Sequence, residues 1–271
     1  MKSEKQLANH VIIYDDECPM CNVYTGAFVK FGFLDTNGRK SFSSLQTQDF
    51  CQLDMNRSTN EIPLVNLQTG KVTYGLPSLL KILSHRWKAF HLVERIKPLF
   101  WLISKFYRFI SFNRKVIVPG KDKGQACVPT FHLTYRLLYL LLTVLVTGLT
   151  AFALFNQFVP DSTVPLLIWI GFMLGQIVVQ LPLLRRAGKE QIFEYLGNQM
   201  TVNMIGAILA WPLLIMDGLM AIPTIATAIY LTLVAITLVI LLYKRIRMLQ
   251  RNQWLCINWI FYWTLISFIA L

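Results

Sequence analysis

Residues 14–21 read Tyr14-Asp15-Asp16-Glu17-Cys18-Pro19-Met20-Cys21, and this stretch decides how the N-terminal part of the chain is organised. Ahead of it, residues 10–14 are short and β-branched, the pattern of a buried strand. Behind it, Pro19 stands where a helix begins, and residues 21–34 space their apolar side chains at helical intervals until Gly32 and Asp35 stop them. Two thiols separated by two residues at a helix start can close a disulfide across one turn. The unpaired N–H groups and the positive end of the helix dipole favour a thiolate on the first of them. Cys18 is therefore expected to attack, and Cys21, one turn in and less exposed, to resolve the mixed disulfide. Asp15, Asp16 and Glu17 act in the opposite sense, because negative charge beside Cys18 raises its pKa. Sequence alone does not rank the two effects.

Working outward, residues 41–45 fit a second strand and 48–55 a short helix. Residues 63–67 and 71–74 flank Thr69-Gly70 and read as a hairpin. Gly75 breaks it, and residues 76–87 form a helix with Leu79, Leu80, Ile82 and Leu83 on its apolar side. The order β-α-β-α-β-β-α is a small mixed sheet covered by helices. A C-x-x-C at its first strand-to-helix junction reads as a thioredoxin-like redox motif. In thioredoxin-like folds the proline opening the third strand is cis and faces the dithiol, which matches Pro63 to that position. The plainer alternative is a proline at a strand's first residue.

Tyr14-Asp15-x-x-Cys18-x-x-Cys21 resembles the signature of the DCC family of thiol-disulfide oxidoreductases, the DUF393 domain. Tyr74-Gly75-Leu76-Pro77-Ser78-Leu79-Leu80 is similar to the family's glycine-plus-helix segment. Asn113-Arg114, Pro119-Gly120 and Cys127 are similar to its C-terminal features. The similarity covers about residues 9–128. One departure is Asp16, where the family usually has Gly, which stiffens the turn and makes the site more acidic. The resemblance implies a thioredoxin-like fold and disulfide exchange, with Asp15 organising the turn or moving a proton and Pro63 aligning the partner's backbone.

The rest of the chain is of another kind. Hydrophobic residues make up 55% of the sequence and charged ones 15%, with mean hydropathy +0.48, too few charges for a soluble domain of this size. Beyond Arg136 the charges leave uncharged runs 137–160, 162–184, 195–216, 218–243 and 252–271, of 24, 23, 22, 26 and 20 residues. A bilayer-crossing helix needs roughly 20 apolar residues, so five transmembrane helices are expected, at about 135–159, 163–184, 197–216, 219–243 and 253–271. Pro182 and Pro212 are expected to kink their helices without breaking them. The fold class is thus an α/β thioredoxin-like domain (1–96), a basic amphipathic juxtamembrane segment (97–133) and an all-α transmembrane domain (134–271).

The net charge of +12 lies in the middle of the chain. Residues 1–80 carry 7 Lys/Arg against 8 Asp/Glu, residues 81–136 carry 12 against 2, and residues 137–271 carry 7 against 4. The basic block and the loops 185–198 and 244–251 alternate with loops around Asp161 and Asp217 that hold no Lys or Arg. Lys/Arg-rich loops face the cytoplasm. The N-terminal domain is then cytoplasmic and Leu271 exterior, in an inner or plasma membrane, and no stretch of residues 1–30 looks like a signal peptide. Residues 97–114 alternate aromatic and basic side chains, which suits a helix in the headgroup region; ordinary packing on the redox domain competes with that reading, and nucleic-acid binding is disfavoured by the adjacent membrane helix.

Cys51, Cys127 and Cys256 are isolated, so structural zinc lacks its second ligand pair, and His85 and His91 read as surface residues. Cys127 is a candidate third redox thiol, or a small apolar residue at a junction. No cofactor beyond a redox-active disulfide is implied, and a membrane quinone has no direct support. The function expected is a membrane-anchored thiol-disulfide oxidoreductase acting, in the reductase direction, on a disulfide-bearing protein or small thiol. The alternative is a non-enzymatic membrane assembly or lipid-binding protein with a thioredoxin-like docking module.

Overall fold

A computed structural model of the chain describes residues 6–45, 53–120, 129–158, 164–217 and 223–270. It forms two compact units, Met1–Tyr135 and Arg136–Leu271.

The first unit runs β1 (His10–Tyr14), α1 (Pro19–Lys30), β2 (Arg39–Ser41), α2 (Met55–Ser58), β3 (Pro63–Asn66), β4 (Val72–Tyr74), α3 (Leu76–Arg86), α4 (His91–Arg95) and α5 (Lys97–Ile117). Among the described residues the four strands make one mixed sheet in the order β2-β1-β3-β4. β1 runs parallel to β2, with Ile12 opposite Arg39, and antiparallel to β3, with Ile12 opposite Leu64. Being central, β1 is covered on both faces, which is why its sequence is a continuous apolar run and not an alternation. Ile12, Leu34, Leu64 and Ile82 are sealed from solvent in the core beneath it.

The second strand is shorter than residues 41–45 and earlier. After Ser41 the chain turns into a 3-10 turn, Phe42–Ser44, closed by the Ser44 hydroxyl on the Ser41 carbonyl at 2.8 Å. Of the helix expected at 48–55, residues 48–52 lie outside the described residues; α2 begins after Asp54, whose carboxylate accepts the Arg57 N–H at 3.0 Å as an N-cap. The expected cis proline is corrected. Among the described residues no peptide bond is cis, and Pro63 is simply the first residue of β3, extended and paired with Tyr74 of β4.

Gly75, between β4 and α3, has φ +69°, a conformation that suits glycine. A Cβ there would also stand 3.3 Å from the Glu61 carboxyl. Lys97–Ile117 is a single helix, and one stripe of it is bonded to the sheet unit. The Tyr107 hydroxyl accepts the Ile62 N–H at 3.1 Å, and the Ser111 hydroxyl donates to the Asn60 carbonyl.

The second unit contains α6 (Leu133–Phe158, which starts in the first unit), α7 (Leu166–Gln180), α8 (Lys189–Asp217), α9 (Thr224–Met248) and α10 (Trp254–Ala270). Among the described residues four helices are long and apolar enough to cross a membrane: Leu133–Gln157, Leu166–Leu184, Lys189–Met216 and Thr224–Met248. The fifth expected span, Trp254–Phe268, is a shorter apolar helix. Pro182 does more than kink: α7 stops at Gln180 and the proline sits in a 3-10 turn, Leu181–Leu184, because it has no N–H to continue the ladder. Pro212 remains inside α8. α8 starts at Lys189, well before the expected 197, since nothing after Gly188 breaks a helix and Glu190 in the first turn suits the dipole.

These helices are held by polar side chains at buried positions. The carboxamides of Gln176 (α7) and Asn203 (α8) meet at 2.5 Å, and the indole N–H groups of Trp259 and Trp263 (α10) reach the same pair. The Tyr139 hydroxyl (α6) is 2.7 Å from the Thr201 hydroxyl (α8), and Arg245 (α9) donates to Asn198 Oδ1 (α8) at 2.8 Å. A buried donor left unpaired costs about 1–3 kcal/mol. Replacing Asn203 by Leu removes the shared partner of Gln176 and Trp259 and should destabilise the detergent-solubilised chain by about that amount, read as a lower melting temperature; no change would show that the cluster contributes nothing to helix association.

Candidate active site

The site forms where β1 ends and α1 begins. Cys18 is the N-cap of α1 and Pro19 its first residue, so the backbone turns from extended to helical at the thiol itself. The Cys21 N–H donates to Cys18 Sγ at 3.3 Å, a sulfur cap in place of the usual oxygen. Upstream, Asp15 Oδ1 accepts the Glu17 N–H at 3.1 Å, and the Asp15 carbonyl accepts the Cys18 N–H at 3.2 Å. These two bonds curl the loop that presents the cysteine. Asp16 points away and accepts the Ser43 hydroxyl at 2.9 Å, fastening the loop to the end of β2.

A residue quoted above only for its family likeness becomes central. Arg114, on the inner stripe of α5, donates to Asp15 Oδ2 at 3.1 Å. Both side chains are 8% exposed, and they come from positions 99 residues apart. No spacing rule could pair them, because α5 reaches β1 only through the tertiary fold. Gly120 lies just beyond α5, and a Cβ on it would fall 1.8 Å from the Glu17 carbonyl oxygen and 3.2 Å from Pro19 Cδ. Only a glycine lets the chain pass so close to the cysteine loop. Asp15, Cys18, Cys21, Arg114 and Gly120 are thus gathered in one place.

The two thiols are electrostatically unlike. The Cys18 thiol is pushed down to about 7 from the ordinary 9, first by the hydrogen bond it receives from the Cys21 side chain, and further by the Cys21 N–H and the Arg114 charge, against burial and Asp15. The Cys21 thiol is pushed up, because it is held as the donor to Cys18 and is buried. The contest left open by the acidic loop is therefore won by the groups that favour the thiolate. Burial pushes the Asp15 carboxyl above its usual range, against the pull of Arg114 and the Glu17 N–H. Both thiols are buried, Cys18 at 7% exposed and Cys21 at 4%, so the difference between them is one of charge and not of access.

Behind the dithiol lies an apolar cavity of about 270 Å³. Cys21, Asp15, Tyr24, Tyr107 and Arg114 line it, together with Ile62. Ile62, the residue before Pro63, faces this space. Tyr24 and Tyr107 escaped the sequence reading, for they are helix aromatics like many others; Tyr107 is pushed up to about 12 by burial. Among the described residues no three His, Cys, Asp or Glu side chains converge as a metal site. Cys51 and Cys127 lie outside the described residues, and Cys256 is buried in α10 of the other unit.

Residues 12–118 match the family model of DCC1-like thiol-disulfide oxidoreductases. No curated protein and no solved structure matches the chain. The matched span begins in β1 and closes one residue past α5, so it takes in both ends of the Asp15–Arg114 pair.

Arg114 gives the site a simple test. Iodoacetamide alkylation of Cys18, followed by mass spectrometry of its peptide, should show a rate that rises through pH 7 as the thiolate forms. Arg114→Met should move that midpoint upward and slow alkylation near pH 6.5 by roughly ten-fold, with Arg114→Lys recovering part of the rate. An unmoved midpoint would mean that Arg114 does not act on the thiol.

Proposed function

We propose, for a chain whose residues 12–118 are a DCC1-like thiol-disulfide oxidoreductase domain and whose C-terminal part holds helices able to cross a membrane, that Cys18 and Cys21 reduce disulfides on the cytoplasmic face of that membrane. The observation that carries this is the split between the two thiols: a nucleophile near 7 at the helix N-cap, beside a second thiol kept protonated.

Cys18 thiolate attacks one sulfur of the substrate disulfide, a Cys18–substrate S–S bond forms, and the substrate's own S–S bond breaks to release a thiolate. Cys21 then gives up its proton and attacks Cys18 Sγ. The Cys18–Cys21 disulfide forms, the second substrate thiol leaves, and two electrons have passed from the dithiol to the substrate. Once Cys18 is bonded to substrate it no longer accepts the Cys21 hydrogen bond, so the interaction that kept Cys21 protonated is gone at the moment its thiolate is needed. Asp15, held by Arg114 and facing the same cavity, is the group to take the proton. A reducing cytosol supplies the direction and the thiols that restore the dithiol. The substrate class is a protein or small molecule bearing a disulfide, and no metal or organic cofactor enters the steps.

Orientation rests on the basic loops. The bonds from Tyr139 near the start of α6, Asn198 and Thr201 in the first half of α8, and Arg245 near the end of α9 support a common end for these three helix termini, as alternate cytoplasmic loops require.

Two experiments decide the proposal. A Cys21→Ser variant of the full chain should accumulate mixed disulfides on Cys18, absent when Cys18 is also Ser, while the unaltered chain reduces a model disulfide. A chain that traps no partner and leaves the model disulfide intact would instead be a non-enzymatic assembly or lipid-binding protein with a docking module. A reporter fused after Leu271 should be active only when it senses the exterior; cytoplasmic activity would reverse the topology.

A further inference from the structure

One stripe of α5 is bonded inside the unit, and another exposes large apolar side chains. The inner stripe, with Tyr107, Ser111 and Arg114, is bonded to the sheet unit and its cysteine loop. The outer stripe holds Trp101, Leu102 and Phe106, which are 61, 59 and 63% exposed. Three large side chains at i, i+1 and i+5 on one helix form a patch that a water-facing helix would not keep. α5 contains Lys97, Lys105, Arg108, Arg114 and Lys115 and no Asp or Glu; Arg114 is buried against Asp15 and Arg108 stands 3.9 Å from Glu61, so the exposed charge of the helix rests on its lysines. The Lys105 ammonium lies over the Trp101 ring, 5.8 Å from its centroid. Exposed aromatics with a lysine over one of them, on a helix that has no Asp or Glu of its own, are the composition of a surface that lies among lipid headgroups.

Continuity with the membrane helices favours the same occupant. Near its C-terminal end, α5 stacks Phe112 on Tyr135, ring centroids 5.0 Å apart and 12° between planes, and Asn113 donates to the Tyr135 carbonyl at 3.1 Å. Tyr135 stands in the first turn of Leu133–Gln157, the first helix long and apolar enough to cross a bilayer. α5 is therefore bonded to the residues from which the membrane segment departs.

We infer that the outer stripe of α5 is a docking surface for an anionic phospholipid bilayer, which seats the unit bearing Cys18 and Cys21 on the membrane through the helix that also supplies Arg114. This does not depend on the thiols being catalytic.

The test uses the full chain with its five cysteines replaced by serine, reconstituted in nanodiscs sized for one copy. An environment-sensitive fluorophore is attached at Phe106→Cys, or at Gln68→Cys in the exposed β3–β4 turn as the control. In phosphatidylglycerol discs the label at 106 should be blue-shifted and quenched by doxyl-lipids. The effect should weaken in phosphatidylcholine discs and at high salt, and be lost when Leu102→Glu is added. The label at 68 should report water throughout. Water-like emission at 106 in both lipids overturns the inference, as does a blue shift without lipid quenching, which would mean a protein partner or the chain itself covers the stripe. If Phe106→Cys fails to fold, Trp101→Cys carries the label with the same outcomes.

Discussion

The ion pair between Asp15 and Arg114 holds the site together. A carboxylate and a guanidinium, both almost out of solvent, meet at 3.1 Å across a chain separation of 99 residues. Desolvating two charges is expensive, and breaking such a pair from one side costs about 3–5 kcal/mol because the remaining charge is stranded. The pair makes sense as a positional device. One oxygen of Asp15 accepts the Glu17 N–H and shapes the loop before Cys18, while the other takes Arg114. A single side chain thereby sets the local turn and ties it to the last helix of the unit. Gly120, passing against the Glu17 carbonyl just after that helix, closes the same loop from outside.

The thiol chemistry follows from this frame. Three acids precede Cys18 and would by themselves suppress a thiolate. One of them is neutralised by Arg114, and another is spent on Ser43 at the end of β2. The Cys21 side-chain hydrogen bond, then the Cys21 N–H and the Arg114 charge, outweigh burial and the remaining pull of Asp15, and the Cys18 thiol is pushed down to about 7. The partner thiol is pushed the opposite way because it is the donor to Cys18 and is buried. In the proposed reaction this split gives the attack to Cys18 and the resolving step to Cys21.

α5 connects that frame to the rest of the chain. Its stripe of Tyr107, Ser111 and Arg114 faces the sheet unit, and its turn at Phe112 and Asn113 meets the first residues of α6. Sequence reading offered membrane contact and packing on the redox domain as competing explanations for residues 97–114. A helix has more than one face, and the packed stripe leaves the outer aromatics unaccounted for. In the second unit the logic is different. Apolar faces supply no selectivity against lipid, so the cluster of Gln176, Asn203 and the two indoles supplies the specific bonds between helices.

Element order in the N-terminal unit, the helix start at Pro19, the hairpin around Thr69-Gly70 and the apolar helices beyond Arg136 were all legible, because each depends on neighbours within a few residues. Boundaries slipped where a side chain or a proline closed a turn locally, as at Ser44 and Pro182, or where no breaker was present, as before Tyr195. The cis geometry expected of Pro63 came from likeness to a fold and not from the residues, and the strand pairing with Tyr74 accommodates an ordinary trans proline. Sequence by itself determined that a C-x-x-C sits at a strand-to-helix junction and that a membrane-compatible region follows, since periodicity and local charge suffice for both. Only the tertiary structure decided that Arg114 reaches Asp15, that Gly120 covers the cysteine loop and that Ile62, Tyr24 and Tyr107 line the cavity. Those contacts join residues far apart in the chain, and their geometry exists only once the sheet has brought β1 and α5 together.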